Sequence, residues 1–413
     1  MNSKQLIKLL IIFVCIGGIG AFLVTQSNRS WSEGEQGIGG LLMGEDFPLN
    51  EISKLVFKSK DGEMSLSKVD DTWRVQDRGN YAADFGKIRE LLLSVAETKV
   101  LRPMKVGESQ LGRLELLAPG EGEKSGTLMS FYGEADKELG SLLLGKQSMR
   151  QSESSSFGGG EMPDGRYLMV NGDVGSISQV SEAFTSVEVE PKSWLDKSFF
   201  KVEKLKSVSV THPDPIHSWR VSRESETGEM VLDGLGEKEE LDSSRSYSLK
   251  NMLSSPSFND VVDASATADT LGMVTPIKVV MDTFEEFVYN IEIGKPNEEE
   301  EYPMTVKVSA VIPGERTVGA DEKDEDKEAL DKEFAESVQS KTEKLGSESS
   351  FEEHAFWVSK WTVDALIKHR SEYIKAIEEE GDTAPAGDAT IAPPALPGLN
   401  LDSLTSPLKL DAE

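Results

Sequence analysis

The residues from Thr72 to Val100 carry the patterns of a strand, a turn, a helix and a second strand, and they limit the possible folds strongly. Trp73 and Val75 alternate with polar residues, which is typical of a half-buried strand, and Asp77 to Asn80 supply turn residues. Asp84 is placed to cap a helix by accepting a backbone N–H. The apolar positions of that helix recur on one face: Phe85, Ile88, Leu92 and Val95. Because such a face needs a sheet to cover it, the stretch predicts an α+β fold.

The same order of motifs occurs twice. Four apolar positions have counterparts at a constant offset: Ile88 with Leu249, Leu91 with Met252, Leu92 with Leu253, and Val100 with Val261. Leu271-Gly272 repeats Leu111-Gly112, and Asn290 to Lys295 repeats the hairpin end at Leu142 to Lys146. One motif order found twice is hard to obtain by chance. The sequence therefore predicts two tandem, mostly antiparallel β-sheet units, each covered by a helix.

Composition divides the rest of the chain. We expect the first unit at residues 48–200 and the second at 201–379, with an acidic insertion at about 312–354 in which Glu328 to Ser340 fits a solvated helix. Residues 26–47 are rich in Gly, Glu and Ser and predict a flexible stalk. Residues 380–413 are rich in Pro and Ala and predict a disordered tail.

Several local patterns predict further elements. Strands are expected at Thr127 to Tyr132, at Leu205 to Thr211 and at Arg113 to Leu117. A short helix is expected at Ser178 to Thr185. A terminal helix is expected to run to about Glu379, with Val363, Leu366, Ile367 and Ile374 on its apolar face.

The N-terminal segment has the pattern of a membrane anchor. Residues 9–24 carry no charge. A helix has to include the longer stretch of residues 6–25 to cross the roughly 30 Å hydrocarbon core. Lys4 and Lys8 precede the uncharged stretch, and Arg29, Glu33 and Glu35 follow it. The positive-inside rule then predicts a single pass with residues 1–5 in the cytoplasm and the bulk of the chain outside. A cleaved signal peptide is the alternative, because Gly20-Ala21 offers small residues.

The charge of the chain limits its partners. Its 413 residues include 73 Asp or Glu and 44 Lys or Arg, which gives a net charge of -29. Binding to nucleic acid needs clustered cations, so this balance argues against it, and it also disfavours broad adsorption to anionic lipid. The single cysteine, Cys15, lies in the apolar segment, so the folded part has no disulfide and no thiolate metal site.

The residue patterns offer no catalytic, cofactor or metal site, and they do not identify ligand-binding residues. Gly140 to Lys146 has the spacing of a phosphate-binding loop, but Gln147 stands where Ser or Thr is required, and three leucines in its interior favour a strand. The four histidines show no metal-binding spacing and are expected to be surface or partly packed residues: His212, His217, His354 and His369. We therefore expect no cofactor.

Six aromatic residues are candidates to line a sugar or peptide groove. They stand at strand ends and unit closures: Trp73, Tyr81, Trp194, Trp219, Trp357 and Trp361. Those places favour packing against the core over ligand binding.

Several of these motifs resemble the bacterial domain family of unknown function 4340, DUF4340. Besides the anchor, the residues that carry the resemblance are Trp73-Arg74-Val75, Tyr81-Ala82-Ala83-Asp84, Leu111-Gly112, Leu143-Leu144-Gly145-Lys146, Gly165-Arg166-Tyr167 and Trp194-Leu195-Asp196-Lys197. The resemblance covers about residues 47–375 as two tandem copies. The second copy departs from it, since Met230 stands where the tryptophan is expected and the Tyr-Ala-Asp stretch is lost.

The resemblance implies a protein of the bacterial envelope, often associated with ABC-type transport or gliding-type systems, and it implies no catalytic residues. We expect a single-pass inner-membrane protein whose periplasmic part binds or scaffolds envelope partners, with ABC-transporter components suspected, and which is not an enzyme. The alternatives are an envelope hydrolase and a glycan-binding module, each using a cleft between the two units.

Overall fold

The computed structural model describes residues 37–151, 161–319 and 322–376. Within these residues the chain forms antiparallel β-sheets with a few helices, which confirms the predicted α+β class. The helices are α1 (Phe85–Glu97), α2 (Ser246–Lys250), α3 (Asp324–Ser349) and α4 (Lys360–Ile367).

The first sheet has nine strands in the order β4-β3-β2-β1-β6-β7-β8-β9-β5. They are β1 (Lys54–Lys58), β2 (Glu63–Val69), β3 (Thr72–Val75), β4 (Tyr81–Ala82), β5 (Val100–Pro103), β6 (Thr127–Tyr132), β7 (Glu138–Gln151), β8 (Glu161–Val170) and β9 (Ser178–Val180). Neighbouring strands pair antiparallel throughout.

The second sheet has eight strands in the order β12-β11-β10-β15-β16-β17-β18-β14, and β13 and β19 form a small sheet of their own. These strands are β10 (Leu205–Thr211), β11 (Trp219–Ser222), β12 (Val231–Leu232), β13 (Glu239–Leu241), β14 (Asp260–Val261), β15 (Ile277–Thr283), β16 (Phe287–Ile293), β17 (Glu301–Ala310), β18 (Phe356–Ser359) and β19 (Ile374–Ala376).

The two large sheets share one strand order. Counted from β3, the first sheet reads β3-β2-β1-β6-β7-β8-β9-β5, and each strand has a counterpart in β12-β11-β10-β15-β16-β17-β18-β14. In both sheets, the three strands at one side come first in sequence, and the strands of a later meander lie beside them. The strand that follows α1 or α2 in sequence, β5 or β14, forms the opposite edge. The same connections therefore occur in both halves of the described chain.

The first helix, α1, lies on the first sheet through a narrower face than its sequence indicates. Asp84 Oδ1 accepts a hydrogen bond from Lys87 N at 3.0 Å, which confirms the predicted cap. The buried positions of α1 are Ile88, Leu91 and Val95. Phe85, predicted to share this face, is 61% exposed, because at about 100° per residue it lies outside the arc that these three define. Leu92 lies outside that arc too, but closer to it than Phe85, and is partly buried. In the second half, only five residues remain helical in α2.

A glycine-lysine pair has the same packing role in each sheet. Lys146 N donates to Leu114 O at 2.7 Å, and Lys295 N donates to Leu271 O at 3.1 Å. A Cβ atom added at Gly145 would lie 2.4 Å from Leu114 O, and one at Gly294 would lie 2.2 Å from Leu271 O. Glycine is therefore required where a crossing loop meets the strand.

This contact corrects two predictions about the first half. Gly145-Lys146 does not end its strand, because β7 continues to Gln151 past a register shift between Leu144 and Gln147. The strand expected at Arg113 to Leu117 is absent, since a 3-10 helix occupies Glu108–Arg113 and the next carbonyl is bonded to Lys146.

Part of the predicted stalk is folded. From residue 37 onward the chain packs beside α1 and β5, where Gly39 N donates to Val100 O at 2.8 Å and Leu42 N donates to Thr98 O at 2.8 Å. The Leu42 side chain is fully buried. Burial of a leucine stabilises by roughly 1.5–3 kcal/mol, which holds this glycine-rich segment in place. Residues 26–36 of the predicted stalk lie outside the described residues.

Two predicted helices take other forms. Ser178 and Val180 are buried on one face of β9, which pairs with β8 and β5, so the helix expected at Ser178 to Thr185 begins as a strand. The terminal helix ends at Ile367. The chain then forms a 3-10 turn and β19, because β13 offers Ile374 an antiparallel partner.

The acidic insertion forms a helix that is attached at both ends. α3 is longer than the stretch predicted and is mostly exposed, as expected. Near its C-terminal end Glu348 is buried and accepts hydrogen bonds from Tyr289 Oη at 2.8 Å and Lys201 N at 3.0 Å. Near its N-terminal end Arg316 donates to Glu322 and Asp331. Polar contacts, which an apolar pattern does not indicate, therefore fix its position.

Among the described residues, no helix has both the length and the apolar character needed to cross a membrane. The predicted anchor at residues 6–25 and the predicted tail at 380–413 lie outside the described residues.

The glycine contacts generate a prediction. Gly145→Ala and Gly294→Ala should each lower the free energy of unfolding by roughly 1–3 kcal/mol, because the added methyl meets a backbone carbonyl that a hydrogen bond holds in place. Urea unfolding of the purified variants measures the change.

Gly107→Ala is the matched control, since a Cβ there meets nothing within 4 Å. It should change stability by less than about 0.5 kcal/mol. Equal stability of all three variants would contradict the shared packing role.

Candidate functional site

Two motifs from distant parts of the first half lie side by side. Ala83 pairs with Leu195 in an isolated antiparallel bridge. Asp84 N donates to Trp194 O at 2.8 Å, and Asp196 N donates to Ala82 O at 2.9 Å. The start of α1 is thus bonded to the segment that leads into the second half of the chain.

The buried side chain of Trp194 holds this pairing in place. Its indole is fully buried and stacks on Phe57 with ring centroids 5.0 Å apart, and its Nε1 donates to Glu188 O at 2.8 Å. Lys87 Nζ lies 4.7 Å from the centre of the indole and donates to Ser193 O. All polar and apolar parts of Trp194 are engaged in packing.

An aromatic cluster joins the two sheets, and we call it the junction cluster. Tyr81 at the edge of the first sheet lies edge-on to Phe258 and Phe356, each at 5.7 Å between ring centroids. Phe199 contacts both of these rings and Phe351, at 4.9–5.2 Å. Burial raises the pKa of Tyr81 well above its usual range. The described junction is therefore filled by packed rings.

An ion pair joined by two hydrogen bonds lies beside the junction cluster. Arg78 donates from Nε to Asp260 Oδ1 at 2.7 Å and from Nη2 to Asp260 Oδ2 at 2.8 Å. The two side chains are only 21% and 17% exposed. The hydrogen bond to Asp260 raises the pKa of Arg78. Nearby, Lys197 Nζ donates to Asn259 O and lies 4.6 Å from the centre of the Phe258 ring. The predicted turn at Asp77 to Asn80 thus carries the arginine that binds the second sheet.

The contacts of this junction attach the first sheet to the second. Both Asp260 oxygens are occupied by Arg78, which leaves the carboxylate poorly suited to proton transfer. Among the described residues, no group of three or more His, Cys, Asp or Glu side chains has the geometry to hold a metal ion.

The family of this part of the chain follows from a direct comparison. The family model described as "Domain of unknown function (DUF4340)" matches residues 73–276. Residues 73–276 belong to the DUF4340 family. The matched DUF4340 region begins at Trp73 in β3 and ends immediately before β15, so it includes α1, the Trp194 segment and Asp260. Neither a curated protein nor a solved structure matches the chain.

The predicted packing of the aromatic residues holds for most of them. Trp73, Tyr81, Trp194 and Trp219, all in the DUF4340 region, are buried, and Trp357 in β18 is partly buried. Trp361 differs, since 90% of its surface is exposed. The leucine-rich segment before Lys146 lies in β7, where its backbone N–H groups pair with β6 and β8, as its composition predicted.

Three histidines lie together although His369 is far in sequence from His212 and His217, which their spacing did not reveal. His217 and His369 stack with ring centroids 3.7 Å apart, and His212 lies 5.3 Å from His369. His212 Nε2 lies 3.1 Å from Lys368 O, so this nitrogen carries the hydrogen, because a carbonyl only accepts. Trp219 Nε1 donates to the same carbonyl at 2.9 Å. Only the meeting of β10 with the end of α4 brings these rings together.

Burial makes two histidines sensitive to pH. Burial lowers the pKa of His212 and outweighs the hydrogen bond to the Lys368 carbonyl, which raises it; the neighbouring His369 and His217 lower it further, and Glu372 raises it. Burial also lowers the pKa of His354, whose ring lies 5.1 Å from that of Tyr81 in the junction cluster. In both cases the folded state disfavours the charged imidazole.

These shifts predict a loss of stability in mild acid. The unfolded chain takes up protons at its usual histidine pKa of about 6.5, before the folded chain does, so unfolding becomes easier as pH falls below that value. The slope should reach up to about 1.4 kcal/mol per pH unit for each histidine. Urea unfolding between about pH 7 and 5.5, above the usual carboxylate range, measures it.

A variant carrying both His212→Asn and His354→Asn should show a flatter dependence over this range, whatever its absolute stability. The same slope in the variant and the wild type would contradict the assignment.

Proposed function

We propose that this protein is a membrane-anchored periplasmic binding or scaffolding protein of the bacterial envelope, accessory to an ABC-type transport or gliding-type system. In this proposal the anchor is residues 6–25, and the two sheets are tandem DUF4340-like units that form one rigid arm. The protein does not act as an enzyme. Its partners are other envelope proteins, with ABC-transporter components foremost.

The junction carries this proposal. Buried apolar residues from both sheets form one continuous core, which includes Tyr81, Phe258 and Phe356. Interfaces between domains that move are usually polar and weakly packed, whereas this one is aromatic and contains an ion pair with little exposure. A fixed relation between two units is what a scaffold requires, since it sets the distance between the partners bound to each.

The shared strand order supports the tandem copies. Each strand from β3 to β5 has a counterpart in the second sheet, and Gly145 and Gly294 make the same close contact with a crossing loop. The matched DUF4340 region covers most of the first unit and the first part of the second.

The contents of the junction favour binding over hydrolysis. The alternative, a hydrolase that uses paired carboxylates between the units, needs an open cleft with two facing carboxyl groups. In the described part of the chain, Tyr81 and the phenylalanine rings fill the junction, and Asp260 is engaged by Arg78.

Recovery of partners tests the function. The tagged full-length chain, extracted from the membrane of its own host, should recover envelope proteins, ABC-transporter components among them, because a scaffold remains bound to what it organises. Mass spectrometry of the eluate, compared with an unrelated single-pass protein as control, is the measurement. Repeated recovery of the same proteins by both baits would argue against a scaffold.

Removal of one member of the junction ion pair tests the rigid arm. Arg78→Ala and Asp260→Ala should each lower the free energy of unfolding by roughly 2–4 kcal/mol, because each leaves a largely buried charge without its partner. Both should also reduce the recovery of partners.

Lys68→Ala is the matched control, since its pair with Asp71 is largely exposed. It should cost less than about 1 kcal/mol and leave recovery unchanged. Normal recovery with a loosened junction, seen as faster proteolysis between the units, would show that rigidity is not needed.

A further inference from the structure

A groove between α2 and α4 is flanked by two exposed aromatic side chains. It has a volume of about 450 Å³ and is lined by residues of both helices and of the segment between Asn251 and Ser257. Tyr247 on α2 is 81% exposed, and Trp361 on α4 is 90% exposed. We call this site the α2–α4 groove. Its volume is in the range of about 300–1,000 Å³ that small-molecule sites occupy.

The helices hold both rings away from the core. Val363 and Leu366 bury one face of α4, and Trp361 lies about 140–200° around the helix from them. Tyr247 lies about 200° from Leu249, the buried residue of α2. Neither aromatic ring therefore contributes to the core. Large apolar side chains that are exposed together mark interaction sites.

The floor and walls of the groove are fixed in place. Met252, Leu253 and Leu366 in the floor are buried. Thr362 Oγ1 donates to Ser257 O at 3.3 Å, which joins α4 to the opposite wall. Asn251 Nδ2 donates to Tyr247 O at 2.9 Å and holds the amide beside the ring. A preformed site of this kind loses little conformational freedom on binding.

The polar side chains of the groove are almost all uncharged. They carry hydroxyl and amide groups: Ser248, Asn251, Ser254, Ser255, Ser257 and Thr362. The only Asp, Glu, Lys or Arg among the lining residues is Asp364, which is paired with Lys368, the residue that follows α4. In a chain with a net charge of -29, this is a locally neutral surface. It offers no counter-charge to an ionic ligand.

The larger cavity beside β11 and β12 has the opposite character. It measures about 910 Å³ and is lined by Lys206, Arg220 and Arg223 together with several carboxylates. Val231 and Val311 are the exposed apolar side chains along it, and neither is aromatic. The combination of two exposed rings with neutral hydroxyl groups therefore distinguishes the α2–α4 groove.

We propose that the α2–α4 groove binds a neutral glycan chain. The C–H faces of pyranose rings would stack on Trp361 and Tyr247, and sugar hydroxyls would bond to the serine, threonine and asparagine side chains. An extended peptide fits less well, because the lining residues belong to α2, to α4 and to the segment between Asn251 and Ser257, and none of them lies in a strand whose edge could pair with the peptide backbone. The proposal does not depend on the scaffolding function, since the groove is formed by the second half of the chain alone.

Titration with defined sugars tests the proposal. The full-length chain, in a detergent without a sugar headgroup, is titrated with cellotetraose, maltotetraose and tetra-N-acetylchitotetraose, followed by calorimetry and tryptophan fluorescence. At least one neutral tetrasaccharide should bind and change the emission of the exposed Trp361. Tetragalacturonic acid, which is of similar length but anionic, should bind more weakly.

Variants assign the binding to the groove. Trp361→Ala and Tyr247→Ala should each weaken it roughly 3- to 10-fold without loss of fold, because both rings are exposed, and Trp361→Phe should restore part of it. Phe85→Ala is the matched control, an exposed ring on α1 outside the groove, and should bind like the wild type.

Three results would overturn the proposal: no binding of any neutral tetrasaccharide at millimolar concentration, wild-type affinity in both alanine variants, or equal affinity for the anionic sugar.

Discussion

The pairing of Arg78 with Asp260 is the interaction on which the arrangement of the described chain depends. Removing both charges from most of their water costs free energy, and two parallel charge-assisted hydrogen bonds offset that cost only in one geometry. The aromatic rings beside the pair supply the apolar area, but rings tolerate small rotations. The ion pair therefore contributes orientation more than strength, and it specifies how the first sheet meets the second.

Within each sheet, too, one kind of interaction supplies stability and another sets position. Ordinary apolar burial holds the strands, whereas a single backbone contact at Gly145 or Gly294 fixes where the crossing loop lies. The loop can approach the strand closely only at the glycine, because a side chain at that position would collide with the loop carbonyl. A chain that repeats this glycine and the order of its strands thus obtains two similar sheets from different side chains, as at Trp73 and Met230.

Local patterns allowed much of the secondary structure to be predicted. The cap at Asp84 and the strands β6 and β10 depend on residues close in sequence, and these predictions are confirmed. Residues 37–47 could not be recognised, because Leu42 is buried only once α1 and β5 are in place. The three clustered histidines and the ion pair were hidden for the same reason, since their partners lie far along the chain. The exposure of Trp361 follows from which face of α4 the sheet covers, which no single helix reveals.

In the proposed membrane-anchored protein, the packing of the chain from residue 37 onward limits the height of the first sheet above the bilayer. Between the predicted anchor, which ends at residue 25, and the first described residue, Gly37, only residues 26–36 remain. Even fully extended, eleven residues span at most about 40 Å. With the proposed anchor, the first sheet would stay within a few nanometres of the lipid surface, within reach of membrane-proximal partners.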